Sequence, residues 1–235
     1  MLTLAFDTSS PVLTIAVGDE AGIINEADLW LPRGHMAKLI PTIGDLLSKS
    51  RLRIQDVEII VIGSGPGSYT GLRIGMVMAR TFAQMLKIPI IGIPSLDAIA
   101  QRNARDKSLI CPVIDAKRGE VYTAFYKADD GKVSRLTEFK AIKPDELANV
   151  LLIEGYGNIV FAGDSLKLYS GIIASVLGGK ADFAPEASWW PRASDLILLA
   201  KPRILAEDFD ELYQLTPIYV RLSQAEEMWG KRHQG

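Results

Sequence analysis

With 235 residues, 48% of them hydrophobic and 23% charged, the chain has the makeup of an ordinary globular protein with room for one large domain or two small ones. A net charge of −2 argues against a protein that grips nucleic acid unaided, because such binding rests on clustered cations facing phosphates. A single cysteine, Cys111, excludes an intrachain disulfide, and a pool of only His35, His233 and Cys111 makes a zinc site improbable.

Leu2 to Phe6 is a short apolar run, Val12 to Val17 alternates, and Gly22 to Leu31 reads as a third strand, so the chain opens on an antiparallel meander. Asp7 arrives before any leader-peptide core develops, which with the absence of a long apolar stretch predicts a cytoplasmic protein. From Met36 to Lys49, Leu39, Ile40, Ile43, Leu46 and Leu47 follow helical spacing. Val57 to Ile62 then reads as a buried strand, Thr70 to Leu86 as a helix, Ile88 to Ile93 as a short strand, and Pro94-Ser95 as the entry to a helix reaching Arg102.

The second half repeats this order. Leu109 to Ile114 is apolar, Val121 to Tyr126 alternates, and Lys132 to Lys140 follows an Asp130-Gly131 turn as a third strand. Pro144 to Leu152 predicts a helix, Asn158 to Ala162 a buried strand and Ser165 to Leu177 a second helix. A repeat of about 105 residues is too long for a solenoid and predicts an internal duplication into two α/β lobes with a cleft between them. The lobes are expected at 1–105 and 106–235, with the tail 217–235 able to pack back on the first. Strand-meander lobes of this kind resemble the ribonuclease H-like units of the actin, sugar kinase and Hsp70 superfamily.

The densest local signal is Gly63-Ser-Gly-Pro-Gly-Ser-Tyr-Thr-Gly-Leu-Arg-Ile-Gly75, a strand end, a glycine loop and a helix start in succession. Gly71 is followed by Leu72-Arg73 rather than Lys-Ser/Thr, so a phosphate-binding P-loop is excluded; Thr70 stands where a dinucleotide fingerprint needs its third glycine. Two readings stay open. Gly65, Gly67, Ser68, Thr70 and Arg73, with Asp7, could meet a nucleotide or phosphate at the helix start, or the glycines could simply allow a tight strand-to-helix connection. Asp7-Thr8-Ser9-Ser10 suits either a phosphate-bound metal or an Asx turn, and Asp115 takes the matching place in the second half, followed by Lys117, Arg118 and Glu120, which could pair with it locally or line the cleft. No Ser-His-Asp, Cys-His or Gly-x-Ser-x-Gly arrangement supports hydrolase chemistry, so no catalytic residue is assigned.

Leu72, Met76, Ala79, Ala83 and Leu86 form an apolar stripe on the helix after the loop; Gly75, Ala79 and Ala83 add a small-residue row, and Phe82 widens the apolar character. That excess predicts a partner interface built from Leu39, Ile43 and Leu46 of the first helix and Leu72, Gly75, Met76, Ala79, Phe82 and Ala83 of the second. Ala79→Arg or Ala83→Glu should then disrupt association.

Ala5-Phe-Asp-Thr-Ser-Ser10, Gly34-His35, Gly65 to Gly75, Ile88-Pro-Ile-Ile-Gly-Ile-Pro-Ser-Leu96, Ile114-Asp-Ala-Lys-Arg-Gly-Glu-Val-Tyr122 and Pro217-Ile-Tyr-Val-Arg221 together resemble the TsaB (YeaZ) family. These are the bacterial accessory proteins for threonylcarbamoyladenosine at position 37 of tRNA. The resemblance implies a non-catalytic cytoplasmic subunit that forms a homodimer or pairs with the transferase TsaD through the first-lobe helices, joins the ATPase TsaE, and reaches tRNA only through the complex. It implies no cofactor of its own, with ATP and a metal in the partner subunits. Catalytic relatives carry a His-x-x-x-His metal pair where this chain has His35 and Leu39. The alternative reading is an independent ATP-binding phosphotransferase or ATPase of the same superfamily.

Overall fold

The computed structural model describes residues 1–105 and 108–221. The expected placement of 222–235, including His233, lies outside the described residues.

The first lobe follows the sequence pattern closely. Strands β1 (Thr3–Asp7), β2 (Val12–Asp19) and β3 (Gly22–Trp30) form the expected meander, and β4 (Ile59–Gly63) and β5 (Ile90–Ile93) add in parallel, giving the order β3-β2-β1-β4-β5. Helices α1 (His35–Lys49) and α2 (Tyr69–Leu86) cover one face of this sheet. Leu4, Phe6, Leu13 and Ile15 point to that side and meet Leu39, Ile43, Leu46, Met76, Ala79 and Ala83 in one core. Strand alternation sends Ala5, Ala16, Ile59 and Val61 to the opposite face.

That opposite face is covered by a helix from the far end of the chain. α6 (Ala193–Leu205) lays Ala193, Leu196, Ile197 and Ala200 against it. The chain then continues along the same lobe: Asp210 bridges to Ile90, and the Ile218 amide donates to the Ser64 carbonyl at 2.8 Å. Residues 193–219 thus pack with the first sheet, so the chain returns to the first lobe well before the tail 217–235 for which that return was expected. Small residues on the sheet, Ala5 and Ala16, let α6 sit close enough to bury its apolar side.

The second lobe departs from the expected copy. β6 (Leu109–Pro112), β9 (Tyr126–Asp129), β10 (Lys132–Arg135), β12 (Ile159–Ala162) and β13 (Ala181–Phe183) form one sheet in the order β10-β9-β6-β12-β13. β7 (Ile114–Lys117), β8 (Glu120–Thr123) and β11 (Lys140–Ile142) form a separate one. The runs 121–126 and 132–140, each expected as one strand, are both broken. At the break the Leu136 amide donates to the Phe125 carbonyl and the Phe125 amide to the Thr137 hydroxyl, so the two strands leave one ladder and enter the other together. α4 (Pro144–Ile153) and α5 (Leu166–Leu177) cover the outer face over Cys111, Phe125 and Phe161, α4 through Leu147 and Leu151 and α5 through Leu166 and Ile173. The inner face is covered by α3 (Ser95–Arg102), a first-half helix, through Leu96, Ile99 and Ala100. Each half thus supplies a helix that shields the other half's sheet.

Candidate functional site

The ends of β1 and β4, the glycine loop and the start of α3 meet above the first sheet. Asp7, the last residue of β1, is fully buried; one carboxylate oxygen accepts from the Ser9 amide at 2.6 Å and the other from the Ser95 hydroxyl at 2.5 Å. Burial raises its pKa against the pull of these donors. The Ser95 hydroxyl also accepts from the Gly65 amide at 3.1 Å, and the Ser95 amide donates to the Gly65 carbonyl at 2.7 Å. Ser95 therefore locks three loops to one carboxylate. Sequence reasoning gave it only a helix-entry role, although a hydroxyl at that position is the signal for such a lock.

The glycine row has a steric cause that the structure makes explicit. A Cβ on Gly63 would lie 1.8 Å from the Asp7 carboxylate, one on Gly67 2.5 Å from the Ser9 carbonyl, one on Gly71 2.0 Å from the Thr8 carbonyl, and one on Gly75 2.3 Å from the Thr8 hydroxyl. Spaced four apart, these residues form a channel into which the β1–β2 turn is pressed. The Ser68 amide is taken by the Ser9 carbonyl at 2.7 Å, the Gly71 amide by the Ser68 hydroxyl at 3.3 Å, and the Thr8 hydroxyl donates to the Gly71 carbonyl at 2.7 Å. Of the two open readings, the tight connection is the one built here. Of the amides at the α2 start, that of Ser68 is taken by the Ser9 carbonyl and that of Gly71 by the Ser68 hydroxyl, so neither is left for a phosphate.

Asp7 is accordingly no phosphate or metal contact, its oxygens being enclosed and bonded. Arg73 is exposed and turned to the chain end, with its guanidinium 4.2 Å from the Tyr69 ring centre and its Nε donating to the Tyr219 hydroxyl at 3.2 Å. Ser68 and Thr70 remain exposed at the mouth of a cavity of about 480 Å³ between the lobes. Ser9, Arg33 and His35 line one wall of this cavity; Asp115, Lys117 and Asp164 line the other, with Trp190 beside them. Asp115 pairs with Lys117 at 2.6 Å, and its amide donates to Asp164 at 2.9 Å, so the two aspartates of the duplication are not equivalent: one is enclosed, the other paired at the cavity wall. Glu120 instead pairs with Arg221.

His35 opens α1 and is buried; its side chain bonds the Ser10 carbonyl, and Nε2 has no partner among the described residues. Burial holds its pKa below the ordinary value. One turn on, Leu39 is completely buried in the core. A single imidazole beside an enclosed carboxylate does not fit a metal that needs several open ligands, and the described residues contain no group of three or more His, Cys, Asp or Glu side chains placed to hold one. Cys111 is equally closed to chemistry, buried beside Thr123 with its thiol pushed up to about 12.

The expected partner interface is corrected by burial. Leu39, Ile43, Leu46, Leu72, Gly75, Met76, Ala79 and Ala83 all lie in the interior, and Phe82 is half-buried against the same core. They face the sheet because that is where an apolar stripe gains most from leaving water. What the two helices show to solvent is a different set: Met36 (73% exposed) and Ile40 (54%) on α1, and Val77 (61%) and Met85 (75%) on α2. No described helix is long and apolar enough to cross a membrane.

Comparison with known proteins places this arrangement. The family model described as TsaD, tRNA N6-adenosine threonylcarbamoyltransferase, matches residues 30–229. The tRNA threonylcarbamoyladenosine biosynthesis protein TsaB of Bacillus subtilis is 34% identical over 97% of this chain and 98% of its own length. The protein of the same name from Escherichia coli is 31% identical over 69% of this chain and 71% of its own length. Among solved structures, YeaZ from Pseudomonas aeruginosa superposes with a TM-score of 0.77 at 26% identity, covering 93% of this chain and 99% of that one. An activator of 2-hydroxyisocaproyl-CoA dehydratase from Clostridium difficile shares the fold alone, with a TM-score of 0.50 at 12% identity over 90% of this chain and 99% of that one.

Proposed function

Because the chain belongs to the TsaB (YeaZ) family and so takes part in tRNA threonylcarbamoyladenosine biosynthesis, we propose that it acts there as a non-catalytic partner subunit, docking onto the TsaD transferase through the outer faces of α1 and α2. The observation that carries this reading is a contrast within one lobe. The carboxylate of Asp7 is enclosed and the start of α2 is packed against the chain's own Thr8-Ser9 turn, while Met36, Ile40, Val77 and Met85 stand in water on the two helices beside it. Apolar side chains this exposed, on neighbouring helices, suit a protein partner.

In this reading the modified base is adenosine 37 of tRNAs that decode codons beginning with A, the chain brings no cofactor, and ATP and metal belong to the partner subunits. The same helix faces serve a homodimer when TsaD is absent, TsaE joins through the complex, and tRNA is met only there, in the cytoplasm. The alternative of an independent ATPase is disfavoured by the enclosure of Asp7. Threonylcarbamoyl incorporation into tRNA separates the two. The chain alone should give none, TsaD with TsaE should give little, and adding the chain should restore turnover. Incorporation by the isolated chain, or restoration that survives removal of TsaD, would overturn the proposal.

A further inference from the structure

A second exposed apolar surface lies on the opposite side of the first sheet. α6 buries Ala193, Leu196, Ile197 and Ala200 inward, yet Leu198 (53% exposed) and Leu205 (71%) project from its outer side. Beside them Ile23 (43%), at the start of β3, stands in water, and a groove of about 460 Å³ runs between helix and hairpin. Its walls take residues 194, 198, 201 and 205 of α6, so it follows most of this 13-residue helix, for about 17 Å. That is the length of about three turns of a second helix lying alongside.

The rim of the groove is acidic. Asp19, Glu20, Asp195 and Glu207 line it, against one lysine, Lys201. Glu20 is answered by the Met1 ammonium at 2.7 Å and Asp195 by Arg102 at 3.4 Å, with Arg192 and Glu26 both near Asp195 and offsetting each other, whereas the described residues place no ion-pair partner on Asp19 or Glu207. A second copy docked here would set acid against acid.

We propose that this groove docks a cationic amphipathic helix of a partner protein, leucine-like side chains between Ile23, Leu198 and Leu205 and lysine or arginine over the acidic rim. The surface is distinct from the α1–α2 faces, so both can be occupied at once.

The test is a fluorescence-anisotropy titration of the full chain with a labelled leucine-lysine amphipathic helix about 18 residues long. The same composition scrambled, and a leucine-glutamate version, serve as controls. The amphipathic basic helix should bind best, Leu198→Gln with Leu205→Gln should weaken it at least about tenfold, Glu207→Lys should weaken it less, and Val77→Asp on the other face should not. All four side chains are exposed, and unchanged melting curves certify the fold. Equal binding of the scrambled peptide, binding of the acidic one, indifference to the leucine pair, or no binding at all would overturn the proposal. So would self-association of the chain that the leucine pair abolishes.

Discussion

The two sides of α2 obey opposite rules. On the inner side Gly71, Gly75, Ala79 and Ala83 are small because backbone and sheet press against them, and each contact there is already made within the chain. On the outer side Val77 and Met85 are large, apolar and exposed. The inner side is given over to packing within the chain, whereas the outer side leaves apolar side chains in water. Small residues in a row thus mark an intramolecular contact here, and the surface proposed for docking is the one whose bulk the core leaves out.

The comparison breaks most violently if charge is forced into the inner side. Ala79 is completely buried, so Ala79→Arg should cost more than about 3 kcal/mol and leave the chain largely unfolded by circular dichroism. Any loss of partner binding by this variant then reflects the lost fold. Gly71→Ala asks a milder question: a Cβ 2.0 Å from the Thr8 carbonyl must push the β1–β2 turn away, at about 1–3 kcal/mol in denaturant unfolding. No measurable change would remove the steric account of the glycine row.

Ser95→Ala should cost about 1–3 kcal/mol, because it leaves one oxygen of the enclosed Asp7 without its donor. His35 sharpens the same inner region through pH. Its folded pKa lies below its unfolded value, so the unfolded chain takes up the proton first and stability falls as pH drops through about 6.5, at no more than about 1.4 kcal/mol per unit. Melting curves between about pH 7.5 and 5.5 should show wild type losing ground relative to His35→Gln; parallel curves would contradict a buried neutral imidazole. At the bottom of the scale, Val77→Asp should change stability by less than about 0.5 kcal/mol.

Much of this was legible in the residues. The first meander, α1, α2 and the strand before the glycine loop follow from alternation and helical spacing, because each element buries one face against a single sheet. The duplication was legible in order but not in form. Val121 to Tyr126 and Lys132 to Lys140 read as unbroken strands, and only the paired hydrogen bonds at Phe125, Leu136 and Thr137, which join residues a dozen apart, move them between sheets. α6 went unread: a return to the first lobe was expected only of the tail from 217, whereas it begins at Ala193, whose amide meets Thr14 nearly 180 residues away. The interface residues were misplaced for a simpler reason. Periodicity finds an apolar stripe, but on a helix apolar on two sides it cannot say which side the sheet takes.

Titration calorimetry of the TsaD transferase with this chain and with its Val77→Asp, Met85→Asp variant tests the proposed docking face most directly. Wild type should bind, and the variant, melting as wild type does, should lose at least about tenfold in affinity. Undiminished binding by the folded variant would contradict the claim that the outer side of α2 is the docking surface.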